Sequence, residues 1–231
     1  MKKSNNYFPE IVGQEKVVEV LTQAIEKGRI SHSYIFSGLK GTQRTKAAYS
    51  FVKALLSEEG LSYADVCRKI DDNNHPDLIE LYPEGASIKI KQIREDLIQD
   101  ISIKPFESKY KIYIIHQGQT MGVPAQNALL KTLEEPPEYA IVLLITNNLS
   151  SILETIQSRC IMLQTKPVEK DLIKTYLMSE YQIPDYQAEL SAIFSQGNVG
   201  KAINYASSEE FIDIKNDVLN VLEHIDEKEN Y

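Results

Sequence analysis

Residues 140–145 read Ala-Ile-Val-Leu-Leu-Ile, six apolar side chains with no polar break. A strand without alternation has to be covered on both faces, the condition of a central strand in a parallel sheet with helices above and below. Pro136-Pro137 just ahead of the run stops any helix from continuing into it. The neighbouring sequence fits this frame. Apolar runs at 34–36, 78–82, 111–115 and 160–163 predict further strands. Between them, helical stripes predict helices over 15–27 (Val17, Val18, Leu21, Ala24, Ile25), 45–56 (Ala48, Phe51, Val52, Leu55), 92–101 (Ile93, Leu97, Ile98, Ile101) and 124–134, the last with Pro124 in its first turn. This order predicts an α/β domain over residues 1–165, an open parallel sheet with helices on both faces. After Lys166-Pro167 strand signals stop. Helical patterns over 168–180, 185–195 and 199–206 predict a small all-helical domain over 166–206. Residues 207–231, with an amphipathic pattern over 211–225, read as the incomplete start of a further helical region.

Composition narrows the function classes. No stretch approaches the ~20 apolar residues of a membrane span, and Met1-Lys2-Lys3-Ser4-Asn5-Asn6 lacks the apolar core of a signal peptide. The expectation is a cytoplasmic protein with no membrane partner. Cys67 and Cys160 are distant in sequence, and with four scattered histidines they do not form the paired spacing of a zinc site. The expectation is two free thiols, no metal and no cofactor. The net charge of −8 argues against a stand-alone nucleic-acid binder, and the 13 tyrosines are too dispersed for a base-stacking platform. Any contact with DNA would be indirect.

Between the first strand and the next helix lies Gly38-Leu39-Lys40-Gly41-Thr42-Gln43-Arg44-Thr45. This is the position of a phosphate loop, whose pattern is G-x-x-x-x-G-K-[ST]. Gly38 and Thr45 fit. Gln43 replaces the second glycine, which lets backbone curl close to phosphate oxygens. Arg44 replaces the lysine, a planar fork in place of a compact point charge. The loop alone leaves two readings open, a weakened nucleotide site and a structural relic. A working ATPase of this layout also needs an acidic pair at the end of the third strand, one carboxylate for Mg²⁺ and one for the attacking water. Here the strand ends in His116-Gln117, so the pair is degenerate as well. Two defects in separate motifs predict no hydrolysis.

Several segments resemble bacterial clamp-loader subunits of the DNA polymerase III holoenzyme, AAA+ proteins. They are Ile11-Val12-Gly13-Gln14, His32-Ser33-Tyr34-Ile35-Phe36-Ser37-Gly38 and His75-Pro76-Asp77-Leu78. The run Gln126-Asn127-Ala128-Leu129-Leu130-Lys131-Thr132-Leu133-Glu134-Glu135-Pro136-Pro137 and the triplet Ser158-Arg159-Cys160 also match. The resemblance spans about residues 7–206, and its last two motifs are the specific ones. It implies an AAA+ P-loop NTPase-like sheet followed by a helical lid. The family holds ATP-hydrolysing motor subunits and a member that does not hydrolyse ATP. The degenerate loop (Gly38, Gly41, Gln43, Arg44, Thr45) and degenerate pair (His116, Gln117) point to the second kind. So does Gly200, which stands where motor subunits carry a sensing arginine, with Lys201 one position round the helix.

In the family the arginine of the Ser-Arg-Cys triplet is an arginine finger, inserted into the ATP site of the adjacent motor subunit. The resemblance therefore implies a catalytic role in trans for Arg159, with Ser158 and Cys160 as its motif. Without it, the favoured reading of Arg159 is a surface arginine in a salt bridge. The implied partners are clamp-loader motor subunits, the delta subunit, the sliding clamp through the complex, and primed DNA indirectly. The implied function is loading of the sliding clamp during replication, as part of a DNA-directed DNA polymerase (nucleotidyltransferase) holoenzyme, without ATPase or polymerase activity of its own. The rival reading is an ATP-driven motor subunit with atypical motifs. Many family members carry a four-cysteine zinc module where this chain keeps only Cys67, so zinc is not expected, and residues 57–74 must fold by other means or stay mobile.

Overall fold

The computed structural model describes residues 7–57 and 62–208. The chain divides into two compact units, Met1–Lys166 and Pro167–Tyr231. In the first, all five expected strands form: β1 (Ser33–Ser37), β2 (Leu78–Leu81), β3 (Lys111–Ile115), β4 (Ala140–Thr146) and β5 (Ile161–Gln164). They make one parallel sheet in the order β2-β3-β4-β1-β5. β1, β3 and β4 are buried along their whole length, whereas the edge strands β2 and β5 are not. The apolar run in β4 thus has its physical cause: it is the third of five strands and is covered on both sides.

Alternate residues of the sheet supply two cores. On one face Phe36, Ile112, Ile114, Ile141, Leu143 and Ile145 pack with α1 (Glu15–Glu26), α2 (Arg44–Leu56) and α3 (Tyr63–Asp71). On the other, Ile35, Tyr113, Ile115, Val142 and Leu144 meet Ile93 and Leu97, Leu129 of α5 (Val123–Glu134) and Ile156 of α6 (Glu154–Gln157). The stripe on α5 is buried at Ala125, Leu129, Thr132 and Leu133, while Ala128 is half-buried.

Three elements depart from the sequence expectation. The 57–74 segment, left open between folding by other means and staying mobile, contains α3, capped by the Ser62 side chain accepting from Asp65 N–H. It is tied to the segment before β3 by Lys69 Nζ, which bonds both oxygens of Glu107 at 2.6 and 2.7 Å. The expected 92–101 helix is α4 (Ile90–Gln92) running into a π-helical stretch, Ile93–Gln99, and a 3₁₀ turn, Asp100–Ser102. Its wide winding keeps Ile93 and Leu97 in the core. It also brings Asp100 to the buried Lys111 Nζ (2.7 Å) and to Tyr113 Oη (2.7 Å). Third, α6 is too short to carry a periodic signal.

The second unit holds three helices among the described residues: α7 (Lys170–Tyr181), α8 (Asp185–Ser195) and α9 (Val199–Ser207). Gly197 joins the last two at φ +80°, where a β-carbon would lie 2.6 Å from Pro167. The amphipathic pattern over 211–225 lies outside the described residues. Among the described residues no helix is long and apolar enough to cross a membrane.

Candidate functional site

Parallel strands bring all their C-terminal ends to one edge of the sheet, where ligands of open α/β folds bind. The loop 38–45 leaves β1 there, and His116-Gln117 leave β3 there. Gly38 (φ +146°) lies hard against the chain after β5, since a β-carbon on it would fall 2.2 Å from Thr165 Oγ1. Thr165 Oγ1 in turn shares a hydrogen bond with Thr42 Oγ1 at 2.7 Å.

The two substituted positions close the loop on itself. Gln43 adopts the left-handed backbone (φ 68°) that the missing glycine would favour. Its buried side chain forms a two-point amide clasp, Nε2 donating to Val12 O (2.7 Å) and Oε1 accepting from Val12 N–H (3.2 Å). Because that side chain is committed to Val12, it does not cap α2. Arg44 folds back across the loop, Nη1 donating to Gly38 O at 2.6 Å. Its Nε is buried and makes no hydrogen bond, and burial pushes its guanidinium below the ordinary arginine range. Thr45 is exposed, and Gly41 has φ +87°.

The third strand ends in two residues without a carboxylate, His116 and Gln117. His116 is buried, its Nε2 2.8 Å from Glu80 Oε1 on the neighbouring strand β2, and its ring is stacked on Tyr82 (centroids 4.1 Å apart, planes 5° apart). Glu80 Oε1 also accepts from Tyr49 Oη and from Tyr82 Oη at 3.2 Å. Burial raises the Glu80 pKa, but the donors His116 and Tyr49 outweigh it and the carboxyl stays below its usual range. Gln117 is exposed at φ 51°. Glu80 was not singled out from sequence. The available signal was a lone carboxylate inside the apolar run Leu78-Ile79-Glu80-Leu81, which demands a buried partner.

Arg159 lies elsewhere. It follows α6 and precedes β5, and its carbonyl accepts from Ser33 Oγ at the start of β1 (2.7 Å). It therefore sits at the N-terminal edge of the sheet, with the five residues of β1 between it and the loop, a span of about 16 Å at strand rise. Its exposed guanidinium donates to Thr155 O (2.7 Å) and to Glu134 Oε1 of α5 (2.6 Å). Ser158 Oγ bonds Thr155 O (3.1 Å). Cys160 is half-buried, and burial pushes its thiol up to about 11, which keeps it protonated and unreactive. In the second unit Gly200 occupies the second position of α9, and Lys201 is exposed.

This sheet order, with a glycine loop leaving β1 and a helical unit after β5, defines the AAA+ type of P-loop NTPase fold. Consistent with that, the chain superposes on the Thermotoga maritima RuvB Holliday junction branch migration motor with a TM-score of 0.62 at 16% identity, over 88% of this chain and 63% of that one. The model of the family described as "DNA polymerase III, delta subunit" matches residues 13–169. The DNA polymerase III subunit delta′ of Bacillus subtilis (strain 168) is 34% identical over 222 residues, 94% of this chain and 67% of that protein. The DNA polymerase III subunit tau of Escherichia coli (strain K12) is 35% identical over 175 residues, 74% of this chain and 27% of that protein. The chain belongs to the DNA polymerase III delta-subunit family of clamp-loader AAA+ proteins.

Proposed function

We propose that this chain is a non-catalytic, delta-prime-type clamp-loader subunit that lends Arg159 to the ATP site of a neighbouring motor subunit. The single observation that carries this is the self-closure of the loop. Gln43 is spent on Val12, Arg44 on Gly38, and the residue in the metal-holding position, His116, on Glu80. Phosphates and Mg²⁺ would have to break all three arrangements and would then find no unengaged carboxylate at 116 or 117.

The rival reading is an ATP-hydrolysing motor subunit with atypical motifs. Nucleotide titration of the isolated chain separates the two: a motor binds Mg-ATP at micromolar affinity and turns it over, and the delta-prime reading expects neither. Arg159→Ala tests the lent arginine in a complex reconstituted with motor subunits, delta subunit, clamp and primed DNA. The variant folds and assembles, because only three exposed hydrogen bonds of the guanidinium, to Thr155 O, Ser158 Oγ and Glu134 Oε1, are lost. ATP turnover of the complex falls by about 10³-fold or more, the scale of arginine fingers elsewhere. Unchanged turnover in a correctly assembled complex refutes the role.

A further inference from the structure

Among the described residues β2 is an edge strand that pairs with β3 alone, and a cavity of about 430 Å³ lies beside it, lined by Ile70, Asn73, His75, Leu78, Glu80 and Tyr82. We propose that this cavity binds an arginine residue carried on an extended peptide of a partner protein.

Two side chains define the ligand. Glu80 commits only Oε1 to its donors His116, Tyr49 and Tyr82; among the described residues its Oε2 accepts no hydrogen bond. A carboxylate oxygen is thus left to a cation. Tyr82 has one ring face stacked on His116, while the ring remains half exposed and lines the cavity. A planar guanidinium suits an open tyrosine face and a carboxylate together better than a compact ammonium does. The C-terminal end of α3, which carries a partial negative charge, contributes Ile70 and Asn73 to the same wall.

The open β2 edge adds the case for a peptide, since it offers main-chain groups to an extended segment. The His75 side chain is fully buried behind the cavity wall, and Nδ1 accepts from Asp77 N–H at 3.2 Å. That bond assigns the proton to Nε2. Nε2 is turned towards Glu107 Oε1, 3.5 Å away, and is closed to ligands. The proton on Nε2 equally rules against a metal at this nitrogen, and among the described residues no three His, Cys, Asp or Glu side chains form a metal cluster. Phosphate ligands are opposed by Glu80.

The test titrates the full ¹⁵N-labelled chain with N-acetyl-arginine methylamide and, in parallel, with the uncharged isostere N-acetyl-citrulline methylamide. The arginine probe is expected to give saturable shifts at Asn73, Glu80, Tyr82 and the His75 ring. Citrulline, and separately Glu80→Gln, are each expected to weaken binding by about tenfold or more, the scale of a charged hydrogen bond. Tyr82→Leu leaves the Glu80 bonds to His116 and Tyr49 in place and is also expected to weaken binding, so the proposal stays testable if Glu80→Gln does not fold. Absence of saturable shifts, equal binding of citrulline, tighter binding of inorganic phosphate, or wild-type affinity in the variants overturns it.

Discussion

Replacing Gln43 by glycine and by alanine separates the two terms that hold the loop shut. A non-glycine residue in the left-handed region costs about 1–2 kcal/mol, and Gln43 sits there at φ 68°. Its clasp on Val12 consists of two hydrogen bonds, each contributing about 1 kcal/mol net. The terms nearly cancel, which explains how a glutamine tolerates a glycine position. Gln43→Gly removes both terms and adds the entropy cost of a glycine, about 0.5–1 kcal/mol. Gln43→Ala keeps the backbone strain and loses the clasp, leaving the half-buried Val12 peptide without those two partners, for a cost of about 2 kcal/mol. Urea unfolding should therefore rank wild type first, Gln43→Gly close behind, and Gln43→Ala clearly last. The same two variants should still fail to bind Mg-ATP, because His116 and Gln117 remain. An alanine variant as stable as wild type, or less costly than the glycine variant, refutes the clasp. Micromolar Mg-ATP binding by the glycine variant would show that the loop, rather than the missing carboxylates, was the barrier.

Two further outcomes follow from the electrostatics. Glu134 pairs with Arg159 with both side chains partly exposed, so the pair contributes at most about 1 kcal/mol. Glu134→Gln in the reconstituted complex should leave kcat unchanged and shift the apparent affinity of the subunit for its neighbour by at most about fivefold; a tenfold loss of kcat would make Glu134 part of the reacting site. The folded-state pKa of His75 is lowered, chiefly by burial. As pH falls, the unfolded chain takes up its proton first, so stability drops as pH passes below the ordinary histidine pKa of about 6.5 and goes on dropping until the lowered folded-state pKa is reached. His75→Asn, which cannot titrate, should flatten that segment of the urea-midpoint profile.

The sheet was legible because its strands are short apolar runs bounded by breakers; β4 is the clearest case, seven residues long and preceded by Pro136-Pro137. The 57–74 segment was not, because α3 is held by Lys69–Glu107 and by Val66 and Ile70 in the core. Those partners are far away in sequence, and the missing zinc cysteines were the only local clue. The π-helical winding of Ile93–Gln99 was equally hidden, since its apolar spacing also suits an α-helix. At the site, the identities of Gln43, Arg44, His116 and Gln117 were readable as departures from a pattern. What those side chains do instead was not, since Val12, Gly38 and Glu80 become their partners only through the fold.

The position of Arg159 lets the phosphate loop change without disturbing the arginine. The loop and His116 occupy the C-terminal edge of the sheet, and the arginine the N-terminal edge, bonded to the first residue of β1. The two share no side-chain partner, and at a separation of about 16 Å substitutions act additively. Filling the phosphate loop with glutamine and arginine therefore leaves the conformation of Arg159 untouched. The same separation means that no motion short of breaking β1 from β5 brings this guanidinium to its own loop. If Arg159 meets a triphosphate at all, the triphosphate belongs to another chain.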